Sequence, residues 1–269
     1  DWTVKGIWQT LFEERDRDQY IKEVGLVKDW NEPIQKEIVA RFHEELDFVN
    51  NIMTQYPEDF IPYVMKQPLT LHQKIIGYYA TKGGLIDLGD TGVGKTASAL
   101  TAIALNNTKR NVILCPKSLI NNNHWKNFIR NMFKDAVIFE MKDAVNNGFQ
   151  FPKGKRCFYL LSYQTASRSA GKAVLNNLRK ANIDYLILDE AQRVKVRTDD
   201  NLSRCRARIE NMLTKIRKDG KINTLFLTAT PVVNTVNEAK SLLQLVTGKK
   251  FKGITSRNTD FNLARMHVN

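Results

Sequence analysis

The stretch Leu85-Ile86-Asp87-Leu88-Gly89-Asp90-Thr91-Gly92-Val93-Gly94-Lys95-Thr96 decides the reading of this chain. It passes from a short apolar run into Gly89-x-x-x-x-Gly94-Lys95-Thr96 and on into an alanine-rich helical stretch over 95–106. Strand, glycine loop and helix start in that order form a phosphate cradle. The glycines let successive backbone N–H groups turn inward, and the helix dipole favours an anion at its start. Gly89, Thr91, Gly92, Val93 and Gly94 are the expected backbone contacts to a nucleotide. Lys95 is expected to meet the β- and γ-phosphates of ATP, and the Thr96 hydroxyl to ligate Mg2+.

Downstream, short apolar runs alternate with helical stretches. The predicted strands are Leu85–Leu88, Val112–Cys115, Val137–Glu140, Cys157–Leu161, Tyr185–Asp189 and Thr224–Thr228, and the predicted helices cover about 72–82, 95–106, 118–131, 171–181, 201–217 and 236–246. This alternation implies an α/β fold, a parallel sheet flanked by helices, whose ligands bind outside the carboxyl ends of the strands. Upstream, residues 1–62 read as a small helical N-terminal region. Ile34, Ile38, Phe42, Leu46, Val49 and Met53 recur every three or four residues behind a helix start at Asn31–Pro33. Tyr56-Pro57, Pro62 and Pro68 interrupt that pattern and mark a boundary within 56–68.

A second chemical signal ends the strand Tyr185-Leu186-Ile187-Leu188-Asp189, which runs straight into Glu190-Ala191-Gln192. Paired carboxylates at a strand's carboxyl end suit metal and water. Asp189 is expected to hold Mg2+, and Glu190 to orient and deprotonate the attacking water, a task that cation binding alone does not require. Thr228-Ala229-Thr230-Pro231 closes the next apolar strand at the same edge, where the hydroxyls of Thr228 and Thr230 can bond to the carboxylates.

Composition excludes several classes. A chain of 269 residues, 42% hydrophobic and 26% charged, is neither disordered, collagenous nor a coiled coil. Its longest apolar runs fall far short of the ~20 residues of a bilayer span, and the N-terminus lacks a signal-peptide layout, so no membrane or secreted form is expected. Cys115, Cys157 and Cys205 are odd in number and scattered, which indicates neither a disulfide framework nor a zinc site and fits a reducing intracellular compartment, cytoplasmic or nuclear. The net charge of +13 divides into −7 over residues 1–60 and +20 over the rest. A body that basic suggests a polyanionic partner. Between Arg193 and Lys221, ten positive residues face four acids: Arg193, Lys195, Arg197, Arg204, Arg206, Arg208, Lys215, Arg217, Lys218 and Lys221. This segment reads either as a polyanion contact or as a solvated helix face. His43, His72, His124 and His267 form no cluster, and none is assigned a metal or catalytic role.

Taken in order, these motifs resemble superfamily 2 helicases and translocases, most closely the N-terminal RecA-like lobe of Swi/Snf-type DNA-dependent ATPases. The resemblance covers about residues 69–250. Leu69-Thr70-Leu71-His72-Gln73 is similar to the adenine-sensing segment, with Gln73 as the implied base contact. Cys115-Pro116-Lys117-Ser118-Leu119, followed by Trp125, resembles motif Ia; Leu161-Ser162-Tyr163-Gln164-Thr165 resembles the next nucleic-acid segment; Leu227-Thr228-Ala229-Thr230-Pro231, running into Asn234, resembles motif III.

The resemblance implies a RecA-like P-loop lobe over 63–250 that uses ATP and Mg2+ and moves along nucleic acid, duplex DNA being favoured. Lys117, Ser118, Trp125, Tyr163 and Thr165 are the implied nucleic-acid contacts, and Thr228 and Thr230 the coupling residues. Lys95, Asp189, Glu190 and Gln192 make up the implied catalytic set. Residues 251–269 would begin a linker to a second RecA-like lobe carrying the arginine finger, so these 269 residues alone are expected to hydrolyse ATP weakly. Two departures stand out: Gly89-Asp90-Thr91 replaces the usual Asp-Glu-Met, and Gln192 replaces a commoner histidine, so position 192 hydrogen-bonds without titrating. An RNA helicase, a restriction-type motor and a non-hydrolysing nucleotide-dependent binding module remain alternatives.

Overall fold

After a short hairpin of β1 (Tyr63–Val64) and β2 (Gln67–Pro68), six apolar runs become β3 (Leu85–Asp87), β4 (Arg110–Cys115), β5 (Val137–Glu140), β6 (Cys157–Ser162), β7 (Tyr185–Asp189) and β8 (Asn223–Leu227). They form one sheet in the order β3-β8-β7-β4-β6-β5, every pairing parallel. The computed structural model describes residues 32–64, 66–140, 148–196, 203–220, 222–230 and 236–251. The described helices are α1 (Glu32–Asn50), α2 (Ile52–Gln55), α3 (Leu71–Lys82), α4 (Lys95–Leu105), α5 (Lys117–Asn121), α6 (His124–Met132), α7 (Tyr163–Ser167), α8 (Ser169–Lys180), α9 (Arg204–Asp219) and α10 (Val236–Thr247). None is long and apolar enough to cross a membrane.

The central strands are uninterrupted apolar runs because helices cover both faces of the sheet. Alternate residues divide between two cores, as the two-residue period of a strand requires. Val112, Leu114, Leu161, Leu186, Leu188 and Phe226 pack with Leu178 of α8, Ile209 and Leu213 of α9 and Leu242 of α10. Ile113, Phe158, Leu160, Ile187 and Leu225 pack on the other face with Leu100 and Ile103 of α4 and Trp125 and Ile129 of α6.

The chain divides between Gln55 and Tyr56. In the first unit Val49 and Ile52 are buried but Met53 is 58% exposed, because the helix is interrupted at Asn51 and Ile52 takes the inward position. The side chains of Ile34, Ile38 and Phe42 lie outside the described residues. In the second unit Tyr56 packs on Phe60, and Phe60 on Phe133, so residues the sequence reading gave to the helical region are part of the sheet lobe's core.

One predicted helix, 118–131, is two. The run Asn121-Asn122-Asn123 breaks it: Asn123 adopts a left-handed φ of 58°, which asparagine tolerates, and the Asn122 Oδ1 accepts the His124 backbone N–H at 3.1 Å. The short α7 is started by Ser162, whose Oγ accepts from the Thr165 N–H.

A charged staple closes the opposite, amino-terminal end of the sheet. The Arg156 side chain is fully buried and donates from Nε and Nη2 to both Asp59 carboxylate oxygens, at 2.7 and 2.8 Å, while its plane lies over the Phe133 ring. Burial pushes the Asp59 carboxyl up, and the hydrogen bonds and charge of Arg156 outweigh it, so its pKa falls below the ordinary value. Removing Asp59 leaves a guanidinium buried without its counter-ion. D59A is therefore expected to destabilise the lobe by about 3 kcal/mol, and R156M, which removes the buried charge itself, by clearly less. Urea unfolding of the two variants checks the order.

Candidate active site

The glycine loop leaves β3 at Asp87, a fully buried carboxylate whose Oδ1 accepts the Gly89 N–H at 2.9 Å and lies 3.6 Å from His72 Nε2. Gly92 and Gly94 have φ of 90° and 87°, a backbone that favours glycine, and a Cβ on Gly94 would sit 2.3 Å from Gln73 Nε2 and have to displace that amide. Gln73 is buried against the loop. Its Oε1 accepts the Thr70 N–H at 3.0 Å and its own N–H bonds to the Thr70 hydroxyl, a reciprocal cap on α3. Lys95 Nζ reaches back to the Gly89 and Asp90 carbonyls at 2.7 and 2.8 Å. Its ammonium thus sits inside the loop it is expected to serve.

Asp189 ends β7 almost entirely buried, and its Oδ2 accepts the Trp125 indole N–H at 2.9 Å. Burial raises its pKa to about 6, and the neighbouring Glu190 charge adds to the rise; the Trp125 N–H, the Glu190 backbone and Lys95 act in the opposite direction. Glu190 then adopts a left-handed backbone, φ 55° and ψ 50°, which turns the chain off the strand at a cost on the order of 1 kcal/mol. A hydrogen-bond chain holds the turn. Gln192 Nε2 donates to Glu190 Oε2, Gln192 Oε1 accepts from the Thr228 hydroxyl at 2.7 Å, and Thr228 Oγ1 accepts the Thr230 N–H at 3.1 Å. The amide at 192 therefore joins the carboxylate turn to the end of β8. Pro231 and Asn234 of the same motif lie outside the described residues.

Two expected nucleic-acid contacts are corrected. Trp125 is completely buried and Tyr163 nearly so, and the polar tip of each is turned inward: Trp125 holds the Asp189 side chain, and the Tyr163 hydroxyl donates to the Asp189 carbonyl at 2.8 Å. Lys117 and Ser118 are exposed and Thr165 partly so, at the carboxyl ends of the adjacent β4 and β6, where the Lys117 N–H meets Gln164 Oε1 at 3.3 Å. The sequence reading missed His124. Its Nε2 lies 3.0 Å from the Thr96 hydroxyl, and burial lowers its pKa below the usual imidazole value.

Four residues of the basic segment are structural. Lys195 forms a buried pair with Glu238 at 3.0 Å, and the buried Arg206 binds Glu210 and the Val194 carbonyl. Arg208 and Arg217 donate to backbone carbonyls at Ala166 and Val246. Arg193, Arg204, Lys215 and Lys218 stay exposed, and Arg197 and Lys221 lie outside the described residues.

The donor set fits Mg2+ with a nucleotide. Thr96 and Asp189 supply hard oxygens, and the side chains bonded to them, His124 and Trp125, are consecutive in the chain. Among the described residues no group of three or more His, Cys, Asp or Glu would cage a metal alone. Mg2+ ordinarily takes one or two protein ligands and completes its shell with phosphates and water.

Phosphate loop, paired carboxylates and parallel sheet together define an ATPase lobe of the helicase type. The chain belongs to the SNF2-related domain family, whose model matches residues 30–265. It is 27% identical over 160 residues to the transcription-repair-coupling factor of Escherichia coli (strain K12), a match covering 57% of this chain and 12% of that protein. Among solved structures, the Pyrococcus furiosus Hef helicase domain superposes with a TM-score of 0.50 at 15% identity, covering 68% of this chain and 37% of that one. The Sulfolobus solfataricus SWI2/SNF2 ATPase core in complex with dsDNA gives 0.47 at 19% identity, covering 71% and 38%. This chain therefore spans well under half of each.

The raised pKa of Asp189 has a testable sign. The folded chain takes up a proton near pH 6 that the unfolded chain takes up only near the ordinary carboxylate value of 3.8, so this group's burden on stability is greatest above pH 6 and disappears as the pH falls below about 4. D189N is expected to exceed the unsubstituted protein in nucleotide-free stability at pH 7.5 by up to about 3 kcal/mol, and to lose the advantage by about pH 4. Thermal or urea unfolding across that range checks it.

Proposed function

We propose that this lobe binds Mg2+-ATP in the Gly89–Thr96 loop and hydrolyses it, coupling the reaction to movement along duplex DNA when joined to a second RecA-like lobe. The observation that carries the reading is the state of Glu190. A strained backbone and the Gln192 amide hold its carboxylate beside Asp189, an arrangement that serves a water-activating base and has no use in a module that only binds. The resemblance to Swi/Snf-type DNA-dependent ATPases favours duplex DNA as the track, and the exposed Lys117 and Ser118 and the partly exposed Thr165 are its proposed backbone contacts.

In this mechanism Lys95 exchanges the Gly89 and Asp90 carbonyls for phosphate oxygens. Thr96 and Asp189 would hold Mg2+, which would neutralise phosphate charge when bound. Gln73, buried beneath the loop, is the proposed base contact. Glu190 orients the attacking water and accepts its proton, while Gln192, Thr228 and Thr230 carry the position of Glu190 to the end of β8. The second lobe supplies the arginine, worth about 10³–10⁵ in rate where such residues act in trans.

ATP hydrolysis by the natural protein, measured alone and with duplex DNA, single-stranded DNA or RNA, tests the reading. Duplex DNA is expected to stimulate most, with K95A and E190Q each losing at least about 100-fold in kcat. Q192A is expected to lose about tenfold while binding nucleotide normally, the scale of one hydrogen bond to a charged group. Stimulation by RNA alone would transfer the reading to an RNA motor, and no turnover with any polymer would leave a binding module.

A further inference from the structure

The first two residues of α6 bond to the two side chains expected to hold the metal. His124 Nε2 lies 3.0 Å from Thr96 Oγ1, and the Trp125 indole N–H donates to Asp189 Oδ2 at 2.9 Å. Their own placement is fixed. The left-handed Asn123 and the Asn122 side chain set the start of the helix, and Trp125 is completely buried in the core shared by α4 and α6.

We propose that His124 and Trp125 are positioning residues for the magnesium site, orienting the Thr96 hydroxyl and the Asp189 carboxylate so that each presents an oxygen lone pair toward the phosphate loop. The inference rests on the nucleotide-binding reading given above. A threonine hydroxyl has one hydrogen and two lone pairs, so it ligates a cation well only if its hydrogen is directed elsewhere. An unprotonated Nε2 on His124 accepts that hydrogen. Trp125 is a donor only: by bonding Oδ2 it restricts the rotation of the Asp189 carboxylate, whose other oxygen would serve the metal. Neither residue competes for the cation. Partners that orient metal ligands in this way commonly change metal affinity by about 10- to 100-fold when removed.

The segment also gives Trp125 a function that burial denied it as a nucleic-acid contact. Lys117 and Ser118 stand exposed at the start of α5, and the same short stretch of chain ends at His124 and Trp125. The residues that hold the metal ligands are thus joined to the proposed track by the short α5 and the asparagine turn after it.

The test uses W125F, which removes the indole N–H together with part of the ring's volume but keeps an aromatic ring in the core, with H124A and the acceptor-retaining H124Q. ADP binding is measured by calorimetry on the natural protein with EDTA and over a Mn2+ series, and bound Mn2+ is followed by electron paramagnetic resonance. W125F and H124A are expected to weaken Mn2+ binding in the ADP complex by about tenfold or more, leave metal-free ADP affinity within twofold, and H124Q to recover most of the loss. Mn2+ binding unchanged in both variants would overturn the inference alone. An equal loss of metal-free ADP binding would overturn it too, by showing a structural role for the loop. Unsubstituted protein that binds no Mn2+-ADP would overturn the nucleotide-binding reading and this inference with it.

Discussion

The buried carboxylate of Asp189 is the constraint around which the rest of the site is arranged. A strand that carries its last residue into the core places a charge where water cannot solvate it, and the surroundings offset only part of that cost. Trp125 gives it an N–H, Tyr163 bonds the carbonyl of the same residue, and the next residue turns sharply to bring its own carboxylate out at the edge. A pKa raised to about 6 is the residue of that incomplete compensation. A divalent cation would complete it, which is why a costly apo arrangement and a metal-binding one can be the same arrangement.

From this point bonds run to both sides of the sheet edge. Through Gln192 and Thr228, the Glu190 turn is tied to the end of β8, and the Thr228 N–H is tied to the Asp87 carbonyl at the end of β3, where the glycine loop begins. On the other side the start of α6 spans Thr96 and Asp189. The site is therefore a closed circuit of short hydrogen bonds laid across parallel strands.

The loop, the carboxylates and all six strands of the sheet were legible because each is a local pattern: glycine spacing, a charge ending an apolar run, continuous buried strands. What was not legible depends on which way a side chain points. Trp125 and Tyr163 are amphipathic, and nothing local in sequence separates an aromatic that presents its face to a ligand from one that turns its polar tip into the core. Lys195 and Arg206 looked like free charge, yet Glu238 and Glu210 consume them, and a count of basic residues cannot see a partner brought in by folding. His124 carried no signal of its own. Only its adjacency to Trp125 and the asparagine break before it could have drawn attention to it.

The most direct measurement of the central claim is a crystal structure of the protein with Mn2+ and a non-hydrolysable ATP analogue, with the metal located by anomalous scattering. The account predicts metal density between Thr96 and Asp189, the triphosphate in the Gly89–Thr96 loop, Lys95 released from the Gly89 and Asp90 carbonyls, and the Trp125–Asp189 bond intact. A nucleotide bound away from the loop, or a metal that bypasses Asp189, would contradict it.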